Sequence, residues 1–322
     1  MKGYLIERFG GPEVMEWRDL ELAAPGPRQV AVDIHASGIN FAETRMRAGD
    51  YGGQELPFVA GMEGAGIVTA LGADVDEFDL GQRVFGRARG CHAEAVLFDA
   101  DHLFALPEAL SFVDGAAIPV GWLTAWHALH TVAELRQGSR VLIEAVASSV
   151  GSAALQIAKA AGCWIAGTAS RDDKLAKAAG YGLDLAINYK SESVSERILE
   201  ATGDAGVDVG LMTIGQETAE QLLDAMGMDG QVVMYGSTGG RDVTFNLNIG
   251  IRNVALKSMS ISTSPAFMTR TMPDFRERAL PLFASGELAP VVSDVLPMSA
   301  LTRAHEMVNE RGHFGKIILT ND

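Results

Sequence analysis

The sequence predicts an α/β protein in two domains, with a doubly wound parallel sheet inserted into a glycine-cornered β-barrel. Three observations lead there. The first third is built of short strands punctuated by glycine. From about residue 140, strands alternate with helices of roughly 10–12 residues, a rhythm that demands parallel pairing because parallel strands need a crossover between them. The last sixty residues return to mixed α/β character, as they would if they closed the first domain around an insertion. The expected boundaries are residues 1–118 for the first part of the barrel domain, 119–262 for the inserted sheet and 263–322 for the return. A chain of 322 residues also exceeds the usual size of one domain.

Taken in order, Gln29-Val30-Ala31-Val32-Asp33-Ile34 alternates apolar and polar residues with the period of a half-buried strand. Residues 61–68 and 81–86 are short strands bounded by glycine. No helix of convincing length precedes about residue 110, where Leu110, Val113 and Ala117 fall at helical spacing. Residues 140–145 form an apolar strand, and 151–161 a small-residue helix stopped by Gly162. The second strand covers 163–168, the second helix 172–179 with its stop at Gly180, and the third strand 185–188. Ser193 and Glu196 have the spacing of a capping box that opens the next helix. Strand 207–212, helix 217–226 and strand 231–235 continue the pattern, and 255–262 is the sixth strand. Residues 275–285 and 301–311 read as amphipathic helices, and 315–319 as a final strand.

Composition narrows the function before any motif does. Hydrophobic residues make up 48% of the chain and charged residues 21%, enough apolar material for a sizeable core, so disorder is excluded as the main state. A net charge of −15 repels phosphate backbones, and no nucleic-acid partner is expected. Two cysteines, Cys91 and Cys163, cannot build a disulfide framework or a multi-cysteine zinc site. No run of about 18 apolar residues and no signal-peptide pattern occur, so a cytoplasmic protein without a membrane partner is expected.

The turn after the first strand of a nucleotide-binding sheet normally carries three spaced glycines. Here it reads Ala145-Val146-Ala147-Ser148-Ser149-Val150-Gly151, and only the last glycine is present. Ser148 and Ser149 offer hydroxyls to a phosphate, and Val150 and Gly151 open a helix whose N-terminal N–H groups favour an anion. The residues after the second strand select the cofactor. An NAD site places an acid there for the ribose 2′-hydroxyl, whereas this chain has Ser170-Arg171 followed by Lys174. Arg171 and Lys174 can pair with a 2′-phosphate, each charge-assisted hydrogen bond contributing roughly 1.5–3 kcal/mol. The expected cofactor is NADPH, with Asp172 and Asp173 read as acids complementing the helix dipole.

Over nearly its whole length the chain resembles the zinc-independent quinone oxidoreductase branch of the medium-chain dehydrogenase/reductases, to which zeta-crystallin belongs. The residues that carry the likeness include Ala36-Ser37-Gly38-Ile39-Asn40-Phe41, Arg47-Ala48-Gly49-Asp50-Tyr51, Gly61-Met62-Glu63-Gly64-Ala65-Gly66 and Leu123-Thr124-Ala125-Trp126. They continue through Ser148-Ser149-Val150-Gly151, Gly167-Thr168-Ala169-Ser170, Ile187-Asn188-Tyr189 and Phe314-Gly315-Lys316. The resemblance implies a GroES-like barrel with a Rossmann domain inserted, NADPH between them, and a homodimer joined through the last Rossmann strand. It implies Tyr189 near the adenosine 2′-phosphate, Gly236 and Ser237 on the nicotinamide side, and Thr124 either at the carboxamide or in packing.

The zinc-dependent branch carries cysteine where this chain has Asn40 and histidine where it has Met62. An amide is a poor zinc ligand, a thioether prefers softer metals, and Glu63 alone holds no zinc, so no metal is expected. Without a Lewis acid, reduction of a conjugated carbonyl is easier than alcohol oxidation. It needs orientation and a hydrogen-bond donor near the developing oxyanion. The resemblance offers Asn40 and Tyr51 as that donor, with Tyr51 also able to deliver a proton. A turn amide and a ring covering the barrel edge are their alternatives. Arg45 stands where the family often has tyrosine, either contacting an anionic or thioester-linked substrate or facing solvent. The expected substrate is a quinone or an α,β-unsaturated carbonyl. A 2-enoyl-thioester reductase, drawing on Arg45 and Arg47, and a silent NADPH-binding protein are the alternatives. Cys91-His92 reads as barrel packing, because strand neighbours point to opposite faces.

Overall fold

The computed structural model describes residues 1–52, 54–240, 242–244 and 247–321, with the backbone alone at 247–249. It packs as two compact units, Met1–Val120 with Leu280–Asp322, and Gly121–Ala279.

In the first unit, β1 (Lys2–Ile6) pairs antiparallel with β2 (Met15–Asp19) and with β4 (Phe58–Val59). The long β3 (Gln29–Gly38) pairs with β5 (Glu63–Leu71) and with β7 (Ala95–Asp99). β6 (Arg83–Arg87) and β8 (Leu103–Ala105) extend the sheet beyond β5. Alternation along these strands buries Val30, Val32 and Ile34 with Val68, Val84 and Phe98 in one core. A second core joins Tyr4 and Ile6 to Leu301, Ala304 and Ile317 of the returning segment.

Helix α1 (Phe41–Ala48) lies where no helix was expected. Its eight residues are too few to display a period, and its signals are terminal. The Asn40 N–H donates to the Glu43 carboxylate three residues on, and Gly49 closes the helix at φ 85°, a left-handed conformation that favours glycine.

The second unit is a six-stranded parallel sheet in the order β11-β10-β9-β12-β13-β14. Its strands are β9 (Arg140–Ile143), β10 (Trp164–Ala169), β11 (Leu185–Asn188), β12 (Val207–Met212), β13 (Met226–Met234) and β14 (Ala255–Ser258). The sixth strand is thus shorter than the expected 255–262. Counted from β9, the strand order is 3-2-1-4-5-6, that of a dinucleotide-binding sheet. Among the described residues, crossover helices follow the strands at Ser149–Ala160 after β9, Asp172–Ala179 after β10, Val194–Thr202 after β11 and Gln216–Asp224 after β12.

The return to the barrel falls at Leu280 rather than at residue 263. Residues 267–279 pack on the sheet unit instead. Phe267, Met272 and Phe275 are buried there, the Thr271 hydroxyl meets His127 Nδ1 at 2.6 Å and Thr131 Oγ1 at 2.7 Å, and Phe275 abuts Trp126 edge-on. The barrel unit then closes with β15 (Val292–Pro297), helix Leu301–Glu310 and β16 (Lys316–Thr320), which pairs antiparallel with β3.

Candidate active site

In the barrel unit the functional candidates converge on the end of β3 and the start of β5. Asn40 caps α1, and its amide is fully engaged: Nδ2 donates to Glu43 Oε1 at 3.0 Å and to Glu63 Oε1 at 2.7 Å. The Asn40 amide oxygen accepts from the Lys316 ammonium at 2.7 Å. Lys316 also forms an ion pair with Glu63, both buried, while Glu63 Oε2 accepts the Val120 N–H at 2.6 Å. The packing is tight enough that a Cβ at Gly38 would stand 2.6 Å from both Glu63 Oε1 and Lys316 Cε. Asn40 therefore has no amide hydrogen left for a substrate oxygen. Its role in this geometry is that of a strut between two carboxylates and an ammonium.

Behind Asn40 lies a second buried group. Glu43 Oε2 is 2.6 Å from His92 Nε2, and His92 Nδ1 is 2.9 Å from Ser37 Oγ. His305 joins them, so that Glu43, His92 and His305 place ligand-type atoms within 4.8 Å of one another, all buried. The donor chemistry argues against a metal there. The Arg47 guanidinium can only donate, and it meets His305 Nδ1 at 3.2 Å, which leaves the proton of the neutral ring on Nε2. Burial, against the pull of Glu43, drives the His305 pKa down to about 4, so the neutral form prevails. Glu43 itself is penalised by burial, but His92 and Asn40 outweigh this and hold its pKa below the ordinary carboxylate value.

Other barrel candidates stand apart from this cluster. Tyr51 is exposed, at 42%. Arg45 faces Asp50 at 3.4 Å, both exposed, and Arg47 is buried with its Nε on the Gly10 carbonyl. Arg47 is thus structural rather than a basic group awaiting a thioester. Cys91 is fully buried with its thiol pKa pushed well up, whereas its neighbour His92 belongs to the polar cluster rather than to apolar packing.

In the sheet unit every cofactor candidate except Thr124 lies just beyond the carboxyl end of a strand, where ligands of such sheets bind. Ser148 caps the helix after β9, its hydroxyl accepting the Gly151 N–H at 3.0 Å. Ser149 and Val150 form the first turn, and a Cβ at Gly151 would stand 2.3 Å from the Ala145 carbonyl oxygen. Gly151 thus has the helix-to-strand packing role of the last fingerprint glycine, while Ala145 takes φ 48° in the turn before it. The unpaired N–H groups of this helix terminus and the close approach at Gly151 fit a dinucleotide phosphate.

Ala169 pairs with Asn188 at the ends of β10 and β11, which sets Ser170 and Tyr189 side by side. Arg171 meets Asp173 in a two-point fork, Nε to Oδ1 at 2.8 Å and Nη2 to Oδ2 at 2.9 Å. Asp173 is thus a local competitor for Arg171, not merely a dipole acid. Asp172 accepts from Asn188 Nδ2 at 2.7 Å, and Lys174 is buried. Gly236 and the exposed Ser237 follow β13, with Gly236 pressed against Thr213. Thr124 is buried within helix Pro119–Trp126.

Lys316, Glu43, His92 and His305 were not singled out from sequence as site residues. The Asn40-x-x-Glu43 spacing was the one available signal, a capping box. The other partners are far apart along the chain.

A dinucleotide-type sheet inserted in a barrel defines a medium-chain dehydrogenase/reductase. Residues 26–108 match the alcohol dehydrogenase GroES-like domain, and residues 149–285 match the zinc-binding dehydrogenase domain. The chain is 33% identical to a quinone oxidoreductase of Sus scrofa, across 99% of this chain and 97% of that protein. The solved quinone oxidoreductase of Pseudomonas syringae superposes with a TM-score of 0.91 at 31% identity, covering 99% of each chain. That of Escherichia coli, complexed with NADPH, gives 0.88 at 31% identity, covering 99% of this chain and 100% of that one. The chain belongs to the zinc-independent, zeta-crystallin-like quinone oxidoreductase branch of this superfamily. The name of the second domain match notwithstanding, Asn40 and Glu63 are already engaged by the Lys316 ammonium, and with a methionine at position 62 these residues do not fit a zinc ion.

Proposed function

We propose that the protein is an NADPH-dependent, metal-free reductase that delivers hydride to quinones or α,β-unsaturated carbonyls. The observation that carries this reading is the Lys316 ammonium locked between Asn40 and Glu63. That cation is bonded to Asn40, which stands where the zinc-dependent branch carries a cysteine ligand, and without a Lewis acid alcohol oxidation loses its means of removing the hydroxyl proton. Bound NADPH supplies the hydride. The chain's own residues bind and orient it: Ser148, Ser149, Val150 and Gly151 at the diphosphate, and Ser170, Arg171, Lys174 and Tyr189 at the 2′-phosphate. Gly236 and Ser237 serve the nicotinamide side, and Thr124 the adjoining helix.

With the Asn40 amide committed, Tyr51 is the candidate proton donor to the developing oxyanion. Two buried free cysteines support a reducing, cytoplasmic setting. The edge position of β14, with the exposed Ile251 shortly before it and the exposed Met228 in the neighbouring β13, supports a homodimer joined through that edge. Fluorescence titration with NADPH and NADH tests the reading, followed by turnover with 1,4-benzoquinone, 9,10-phenanthrenequinone, simple enones and crotonyl-CoA. Tighter NADPH binding with quinone or enone turnover is expected; NADPH bound tightly but never oxidised by any acceptor would overturn it.

A further inference from the structure

Glu144, a carboxylate of the sheet unit, follows β9, immediately before the phosphate turn, and is 1% exposed. Its Oε2 accepts two successive backbone donors of the loop after β12, the N–H groups of Thr213 at 2.8 Å and Ile214 at 2.9 Å. Its Oε1 accepts the Thr218 hydroxyl, in the helix that follows, at 2.5 Å. The Glu144 N–H in turn donates to the Leu211 carbonyl at 3.1 Å. Burial raises the carboxyl pKa, and the three hydrogen bonds it accepts oppose that rise.

The same loop holds the next one. Thr213 O accepts the Thr238 N–H at 2.9 Å, and Ile214 O accepts the Gly239 N–H at 2.6 Å. Gly236 lies so close that a Cβ there would stand 2.4 Å from Thr213 Oγ1. One side chain thereby ties together the segments leaving β9, β12 and β13, on the ligand-binding edge of the sheet. An apolar residue could fill the space without the desolvation cost of a buried acid. What the acid adds is a fixed position for two loops.

We propose that Glu144 is a positioning residue that sets the loops after β12 and β13 for the nicotinamide half of NADPH. The adenosine half, at the ends of β10 and β11, is held without it. The inference rests on the NADPH reading above.

Dissociation constants separate these halves when measured for NADPH, by fluorescence, and for 2′,5′-ADP, by calorimetry. The latter carries the adenosine 2′-phosphate but no nicotinamide. The proteins compared are wild type, Glu144→Ala, Glu144→Gln and Thr218→Val, each with a melt of the ligand-free form. Glu144→Ala is expected to weaken NADPH about tenfold and to leave 2′,5′-ADP within about twofold. Glu144→Gln keeps an oxygen for both backbone donors and an amide facing the Thr218 hydroxyl, so NADPH affinity should stay within about threefold of wild type. Thr218→Val should show a loss of about threefold for NADPH alone. Parallel weakening of both ligands, or unchanged NADPH affinity in Glu144→Ala, would overturn the proposal. Should Glu144→Ala fail to fold, unchanged NADPH affinity in Thr218→Val overturns it instead. A wild-type protein that bound neither ligand would fail differently, removing the cofactor reading and this inference together.

Discussion

The candidate charges of the barrel cluster and the Arg171 cation of the sheet unit are held in opposite ways. The barrel cluster is buried: Glu43, Glu63 and Lys316 lie inside, joined through Asn40. In the sheet unit the candidate 2′-phosphate cation, Arg171, is exposed and clasped by Asp173. A buried network is set before any ligand arrives, because each member is already satisfied and breaking one bond strands another. A rim cation with an adjacent exposed acid can exchange that acid for a phosphate at little cost. Rigidity lies in the barrel cluster and adaptability at the rim of the sheet unit.

The contrast can be broken most forcefully at Lys316. Lys316→Met should cost about 3–5 kcal/mol of unfolding free energy in urea melts, since Glu63 is left buried without its cation. Adding Glu63→Gln should restore part of that loss, and a strictly additive double-mutant cycle would mean that the pair is not coupled. Tyr51→Phe should lower kcat by about a hundredfold or more while NADPH affinity holds. An unchanged kcat removes Tyr51 from proton delivery.

At the rim the effects are smaller. Arg171→Ala should raise the NADPH Michaelis constant about tenfold, leaving NADH nearly unchanged. Equal changes for both dinucleotides would place Arg171 outside the 2′-phosphate site. Asp173→Ala releases Arg171 and should tighten NADPH about threefold in fluorescence titrations.

Acid sharpens the comparison in both units at once. His305 in the barrel and His130 in the sheet unit each have a pKa driven down to about 4, chiefly by burial. Between the ordinary value of 6.5 and about 4, the unfolded chain therefore binds more protons than the folded one, and stability falls as the pH falls through that window. Each histidine should contribute a slope of up to about 1.4 kcal/mol per pH unit. His130→Asn should flatten the slope by roughly its own share in melts recorded across the window.

The sheet was legible in the sequence because its signals are local. Apolar strands alternate with helices stopped by Gly162 and Gly180, and that rhythm dictates parallel pairing but not which strand lies beside which. The same locality offered Ser148, Gly151, Ser170 and Arg171 as candidates, since each lies in a turn or helix start that follows a strand. It did not reveal that Asp173, two residues on, would turn back to grip Arg171. The barrel cluster was illegible for the opposite reason. Ser37, Asn40, Glu43, Glu63, His92, His305 and Lys316 meet only after β3, β5 and β16 have paired, and beyond the Asn40–Glu43 capping box no spacing along the chain encodes that meeting. Glu144 escaped notice because a single acid at the end of an apolar strand looks like a surface residue until the neighbouring loop folds over it.

Lys316 reaches Asn40 from 276 positions away in the chain. During synthesis the ribosome must therefore pass β16 out of its exit tunnel before the early strands can neutralise Glu63. Until then Glu63 has Asn40 and the Val120 N–H as partners but no ammonium, so this cluster is completed only when nearly the whole chain has emerged.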